Sequence, residues 1–176
     1  QISSFPARKF YQNSLKDPVK ICKFKKFQML RGFGPLVFFN VCEGQEQSHL
    51  GKSSSWCNLD ELKVLSFILR SLMCLYPISD IGSIGVIGGY NGQIDELKNY
   101  KIIKDRYDEL QINTIDGFQG REKNIICFSC VRARNEKGVG FLTDGRRINV
   151  GFTRARNGFW IFGNSNLLES DLKWNE

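Results

Sequence analysis

Apolar residues in this chain gather into short continuous runs between polar, glycine-containing turns, with one long helical stripe among them. Ile125 to Val131 is almost wholly apolar, as a strand covered on both faces should be. It lies inside a stretch from Asn113 to Asn164 that runs without a gap: polar turn, apolar run, second Gly-rich turn, Arg-rich helix, second apolar run. Two strands joined by a helical crossover form a βαβ unit of a parallel sheet. Earlier in the chain, Leu36 to Val41 is the first clear strand. The helix from Leu59 to Leu75 carries a stripe of Leu59, Leu62, Leu65, Leu69 and Leu72. Asn58 caps it, Glu61 completes the spacing of a capping box, and Pro77 stops it. Ile84 to Ile87 is a short strand, the turn Gly88 to Gln93 opens another helix, and Gln111 to Ile115 is the strand that feeds the Asn113 to Asn164 stretch. The pattern predicts an α/β fold around a central, mostly parallel sheet.

Two segments break the pattern. Residues Gln1 to Gly34 form an irregular lead-in with an apolar anchor at Phe5-Pro6 and Phe10-Tyr11. Within it, Lys20 to Phe27 (KICKFKKF) interleaves basic and aromatic residues. That suits either a nucleic-acid backbone with stacked bases or an edge strand with its lysines outward. Gly44 to Ser55 is polar and Ser-rich, and reads as a loop. Its Gly51-Lys52-Ser53 mimics the end of a P-loop, but Glu46 stands where the first glycine belongs and the helix begins only near Leu59. No other stretch fits, so the chain lacks its own principal cradle for ATP phosphates.

The Arg-rich helix is expected to start near Asp144 and end near Arg156. Ile148, Phe152 and Ala155 share one face and should pack on the sheet. Arg147 and Arg154, seven apart, share another, with the small Gly151 between them. Guanidiniums on a bare helix face suit a polyphosphate, because the planar fork matches phosphate oxygens. The competing reading is a solvated basic face with both arginines paired to local carboxylates.

Composition sharpens this picture. At 176 residues the chain is one domain by size, and its 41% hydrophobic residues can fill a core. Lys plus Arg is 25 against 18 Asp plus Glu, a net +7 that favours an anionic partner, nucleic acid first. No run reaches transmembrane length and no signal-peptide pattern opens the chain, so no membrane partner is expected. The first residue is Gln1, not Met, which suggests a piece of a longer protein. Six scattered cysteines fit a reducing, intracellular compartment better than a disulfide framework. Cys127 and Cys130 have zinc-ligand spacing. Within a strand, however, positions three apart point to opposite faces, and the chain has a single histidine, His49. No metal site is expected.

DGFQGREKNIICFSCVRA followed by GVGFLTDGRRINVGFTRARNGFWIFGN resembles the last motifs of superfamily-one helicases, in the branch that includes senataxin and the nonsense-mediated-decay helicase. ISSFPARKFYQNSLKD, FFNVCEGQEQ, SSSWCNLDELKVL and IGVIGGYNGQIDELK resemble earlier segments of the same family in the same order. The closing NSNLLESDLKW is closer to senataxin. The resemblance implies a RecA-like three-layer fold over residues 1–176, the second motor domain of an ATP-dependent RNA or DNA helicase. A first domain, outside this chain, would supply the Walker motifs, the Mg2+ ligands and the catalytic carboxylate, with ATP bound between the two. It implies that Arg154 is the arginine finger. It places Gly120, Arg121, Glu122 and Arg147 on the nucleotide side, with Glu122 near the ribose. Thr114, Asp116 and Gln119 match the motif that links nucleotide to nucleic acid, and the turn with Tyr90, Asn91 and Gln93 faces the single strand. Tyr90 could stack on a base or serve as a packing ring. The fragment alone should be inactive, the protein monomeric, and the nucleus the favoured compartment. The sequence departs from the family at Gly89 and Gly145, each in place of Pro, and at Gly151-Phe152 in place of Ala-Leu. A non-catalytic nucleic-acid-binding scaffold and a DNA-processing helicase are the alternatives.

Overall fold

The computed structural model describes residues 2–15, 33–50, 54–100, 103, 110–134, 138–172 and 174. The KICKFKKF segment lies outside the described residues. Five strands form one wholly parallel sheet: β1 (Leu36–Asn40), β4 (Ile84–Gly88), β5 (Leu110–Thr114), β6 (Lys123–Ser129) and β7 (Ala155–Gly163), in the order β1-β7-β6-β4-β5. The central strands read as apolar runs because both faces are covered. Ile125, Cys127, Trp160 and Phe162 face one core layer; Ile126, Phe128, Phe159 and Ile161 face the other. The first layer is closed by α2 (Leu59–Leu75) and α4 (Asn91–Asn99), with the four-residue α3 (Ile78–Ile81) between them in sequence. The second is closed by α1 (Ser4–Phe10), α5 (Gly145–Phe152) and α6 (Ser165–Glu169). Cys127 and Cys130 fall in opposite layers, and burial pushes both thiols well above the ordinary range.

The α2 stripe is buried as its spacing requires except at Leu59, which is half-buried. Leu62, Leu65, Leu69 and Leu72 are fully buried, each stabilising the fold by roughly 2 kcal/mol. Asn58 is the cap, its Oδ1 accepting from the amides of Asp60 and Glu61 at 3.1 Å. The capping box is only half formed, because the Glu61 side chain does not return to Asn58 but turns into the core.

Four expectations are corrected. Gly44 to Ser55 is not simply a loop: it contains most of an antiparallel hairpin, β2 (Glu46–Leu50) with β3 (Ser54–Asn58). Its polar residues mask it, since Gln47 and Ser48 face solvent while Glu46 and Cys57 are buried. The lead-in is not irregular throughout; Ser4–Phe10 is helical, and the Phe5 ring packs at a tilt against Phe152, centroids 4.7 Å apart. The Arg-rich helix ends at Phe152, not Arg156, because Ala155 already begins β7. Ile148 and Phe152 pack on the sheet as expected. Gly151 faces the same way: a Cβ there would stand 2.8 Å from the Phe128 ring. It therefore opens no gap between Arg147 and Arg154.

Candidate functional site

In a parallel sheet, position along a strand decides which edge of the sheet a residue occupies. Gly88 ends β4 and pairs with Thr114, the last residue of β5, and with Ser129, the last of β6. Tyr90 and Asn91 follow one residue after Gly88, so Thr114, Tyr90 and Asn91 share the carboxyl-terminal edge, where open α/β sheets bind ligands. At the opposite edge Lys123 begins β6 and pairs with Ala155, the first residue of β7. The Lys123 amide also donates to the Arg154 carbonyl at 3.0 Å. Glu122 and Arg154 thus flank one backbone pair although far apart in sequence. Residues 115–122 run from the first edge to the second, with Phe118 buried as their anchor.

Along that connection, Thr114 Oγ1 accepts from the Gly117 amide at 3.3 Å. Asp116 is exposed and lies 3.7 Å from Nη2 of Arg147. Both side chains are about half in water or more, so the pair is loose and separable. Gln119, Gly120, Arg121 and Glu122 are exposed. Gly120 has φ +73° and open space around it, so glycine is favoured by its torsion and not by crowding. Nε of Arg156 donates to Glu122 Oε2 at 3.0 Å. Reading the sequence missed Arg156, whose only local signal was its place two residues after Arg154.

Arg154 lies in the turn after α5 and is half-buried. Its Nε donates to the Val150 carbonyl at 3.1 Å, and Nη2 donates to the Thr153 hydroxyl at 2.9 Å. The same hydroxyl donates to the Asn149 carbonyl at 2.9 Å. The guanidinium is therefore aimed by the last turn of α5 and not by helical spacing from Arg147.

Tyr90 is a packing ring in this structure, edge-on to Phe141 at 5.1 Å. Gln93 is fully buried: its Oε1 accepts from the Asn58 amide at 2.8 Å, and its Nε2 donates to Ser129 Oγ at 3.1 Å and to the Asn58 carbonyl. The Gln93 side chain therefore has no surface to offer a strand, and it holds the turn from behind. Among the described residues no group of three or more His, Cys, Asp or Glu side chains could hold a metal ion. The donors present, four arginines and an open glycine turn, suit phosphate oxygens and not a cation.

A wholly parallel five-stranded sheet with helices on both faces and an arginine-bearing turn beside a glycine turn is a RecA-like architecture. The family model described as AAA domain matches residues 1–166, and the chain belongs to that family and is homologous to superfamily-one helicases. It is similar to the probable helicase MAGATAMA 3 of Arabidopsis thaliana, 38% identical over 99% of this chain and 22% of the relative. It is also similar to helicase sen1 of Schizosaccharomyces pombe, 36% identical over 98% of this chain and 10% of the relative. The regulator of nonsense transcripts 1 homolog of Arabidopsis thaliana is 34% identical over 99% of this chain and 14% of its own length. The chain thus spans about a fifth or less of the length of these relatives. Among the described residues no helix is long and apolar enough to cross a membrane.

Proposed function

We propose that this chain is the second motor domain of an ATP-dependent helicase that acts on single-stranded RNA or DNA. The observation that carries the reading is that Thr114, Tyr90 and Asn91 lie at one edge of the parallel sheet and Glu122 and Arg154 at the other, joined by residues 115–122, which carry Asp116 and Gln119. Relatives described as helicases support it. ATP would lie between this domain and a first motor domain, which would hold the Mg2+. On this side of the cleft, Arg154 serves as the finger. Its fork meets negative charge that spreads over the transferred phosphoryl group as the bond to the leaving oxygen breaks. Its anchor on Val150 and Thr153 keeps that geometry fixed before ATP arrives. Gly120 lets the backbone come close, Arg121 and Arg147 add positive charge, and Glu122, steadied by Arg156, faces the ribose.

At the other edge, Thr114 and Asn91 contact the strand, Tyr90 and Gln93 shape the turn that carries Asn91, and Asp116 and Gln119 relay between the two sites. Because the Asp116–Arg147 pair is loose, it can open when phosphate draws Arg147 away. The residues on the 115–122 connection would then move together, coupling hydrolysis to a step along the strand. We extend the proposal to a monomer in a reducing intracellular compartment, the nucleus first, which the free cysteines fit. The test is ATP hydrolysis by the full-length protein with and without single-stranded RNA. The reading expects turnover that rises when RNA is added; turnover indifferent to RNA and DNA alike would contradict it.

A further inference from the structure

Behind the strand-facing edge lies a set of fully buried polar side chains that no contact with nucleotide or nucleic acid accounts for. Glu61 is completely buried at the start of α2. Its Oε2 accepts from Ser129 Oγ at 2.6 Å and from the Val131 amide at 2.9 Å. Asn58 Nδ2 donates to the Val131 carbonyl at 3.1 Å. Both backbone groups of Val131 are thus held by side chains from the first turn of α2. Val131 has φ +70°, a left-handed conformation that a β-branched residue adopts at a cost of about 1–3 kcal/mol. Two residues on, the Ala133 amide donates to Oε2 of Glu46 at 2.7 Å; Glu46 is also buried and lies 3.7 Å from Arg132. Two buried acidic side chains, one from the hairpin and one from α2, therefore fix the turn after β6 in a strained form.

That turn supports the proposed strand site. Ser129 is bonded both to Glu61 and to Gln93, and Gln93 lies in the first turn of α4, beside Tyr90 and Asn91. A Cβ on Gly140 would meet the Tyr90 hydroxyl and the side-chain stem of Arg132, so Tyr90 and the Arg132 stem both lie beside Gly140. We propose that Glu61 is a positioning residue for single-strand binding, acting through Ser129 and Gln93 on the Tyr90–Asn91 turn and through Val131 on the turn after β6. This rests on the function proposed above and deepens it by naming what holds the strand-facing edge in register. Strain held by buried hydrogen bonds is a device for fixing one geometry, and here it rests on Oε2 of Glu61 and of Glu46, while Oε1 of each is buried without a hydrogen-bond partner among the described residues. Among the described residues none of these hydrogen bonds ends on Arg154 or Glu122, so the effect should fall on the strand and not on the nucleotide.

The experiment compares Glu61→Gln, Glu61→Ala and Ser129→Ala in the full-length protein. Single-strand affinity is measured by fluorescence anisotropy with an oligouridylate probe, alongside the KM for ATP and a melting curve. The amide of Glu61→Gln can still accept from Ser129 and Val131, so its strand affinity should stay within about threefold of wild type. Glu61→Ala should lose about tenfold or more in strand affinity with the KM for ATP nearly unchanged. Should Glu61→Ala not fold, Ser129→Ala carries the test. It cuts the link to Gln93 while leaving the Glu61–Val131 bond, and should weaken strand binding severalfold. Wild-type strand affinity in a folded Glu61→Ala or Ser129→Ala protein would overturn the inference, as would equal losses for strand and ATP. If the wild-type protein itself does not bind the probe, the functional reading fails and takes this inference with it.

Discussion

The guanidinium of Arg154 is held by the carbonyl of Val150, one turn back on its own chain, at 3.1 Å. Among the described residues its Nη1 group makes no hydrogen bond, so the fork is oriented while one amino group stays available. Side chains held this way forfeit less rotamer freedom when a ligand arrives. The arrangement also makes the hydroxyl of Thr153 part of the aim, since it accepts from Nη2. Thr153→Val should keep the packing volume and remove that support. ATP turnover by the full-length protein is expected to fall several-fold with strand affinity unchanged; unaltered turnover would show that Arg154 needs no such support.

The Gly151-Phe152 departure from the family's Ala-Leu has a packing explanation. Phe128 on β6 fills the space that a Cβ at Gly151 would need. Gly151→Ala should gain helix propensity yet destabilise by about 1–3 kcal/mol through overpacking. Adding Phe128→Leu should recover part of that loss. Urea unfolding of the single and double variants measures it, and simple additivity of the two changes would argue that they do not share the space.

Burial pushes the Glu61 carboxyl up to about 8, against hydrogen bonds from Ser129 and Val131 that lower it. Its folded value is thus above the usual one near 4.5, so between those limits the native protein keeps a proton that the unfolded chain releases. The resulting stability is complete below about pH 4.5 and is lost as the pH rises through about 8. The slope is at most about 1.4 kcal/mol per pH unit from this one group. Unfolding free energies at pH 5.5 and 7.5 should therefore show a decline in the wild type that Glu61→Gln lacks. Equal pH dependence in both proteins would remove Glu61 as its source.

Arg156 and Glu122 form a half-exposed pair, which stabilises the fold by no more than about 1 kcal/mol. Arg156→Ala should leave the melting temperature nearly unchanged and raise the KM for ATP, because Glu122 loses its orientation. A large stability loss with a normal KM would make the pair structural.

The layered α/β fold was legible where periodicity and burial agree. The α2 boundaries followed from the Asn58 cap, the leucine stripe and Pro77, and β6 and β7 from apolar runs covered on both sides. The end of α5 is not legible in the sequence because Thr153 to Arg156 continues a helix-compatible pattern, while the edge of the sheet claims Ala155 for β7. The hairpin was hidden because polar strands at a surface read as loops. At the site, motif spacing named Gln93 and Tyr90 but not their direction. The direction of Gln93 depends on Asn58 and Ser129, both more than 30 residues away. Likewise the partnership of Arg156 with Glu122 joins residues 34 apart and exists only because β6 and β7 are neighbours.

The central claim is that the two edges of the sheet do different work, with Arg154 serving hydrolysis alone. The most direct measurement is ATPase rate and single-strand affinity on the same preparation of full-length Arg154→Ala, with Arg154→Lys beside it. Loss of a finger typically costs on the order of a thousandfold in turnover, and a lysine point charge cannot reproduce the fork. Both variants should therefore lose ATPase while binding single strands with near wild-type affinity. Near-normal ATPase in Arg154→Ala, or strand binding that falls together with it in a folded protein, would contradict the claim.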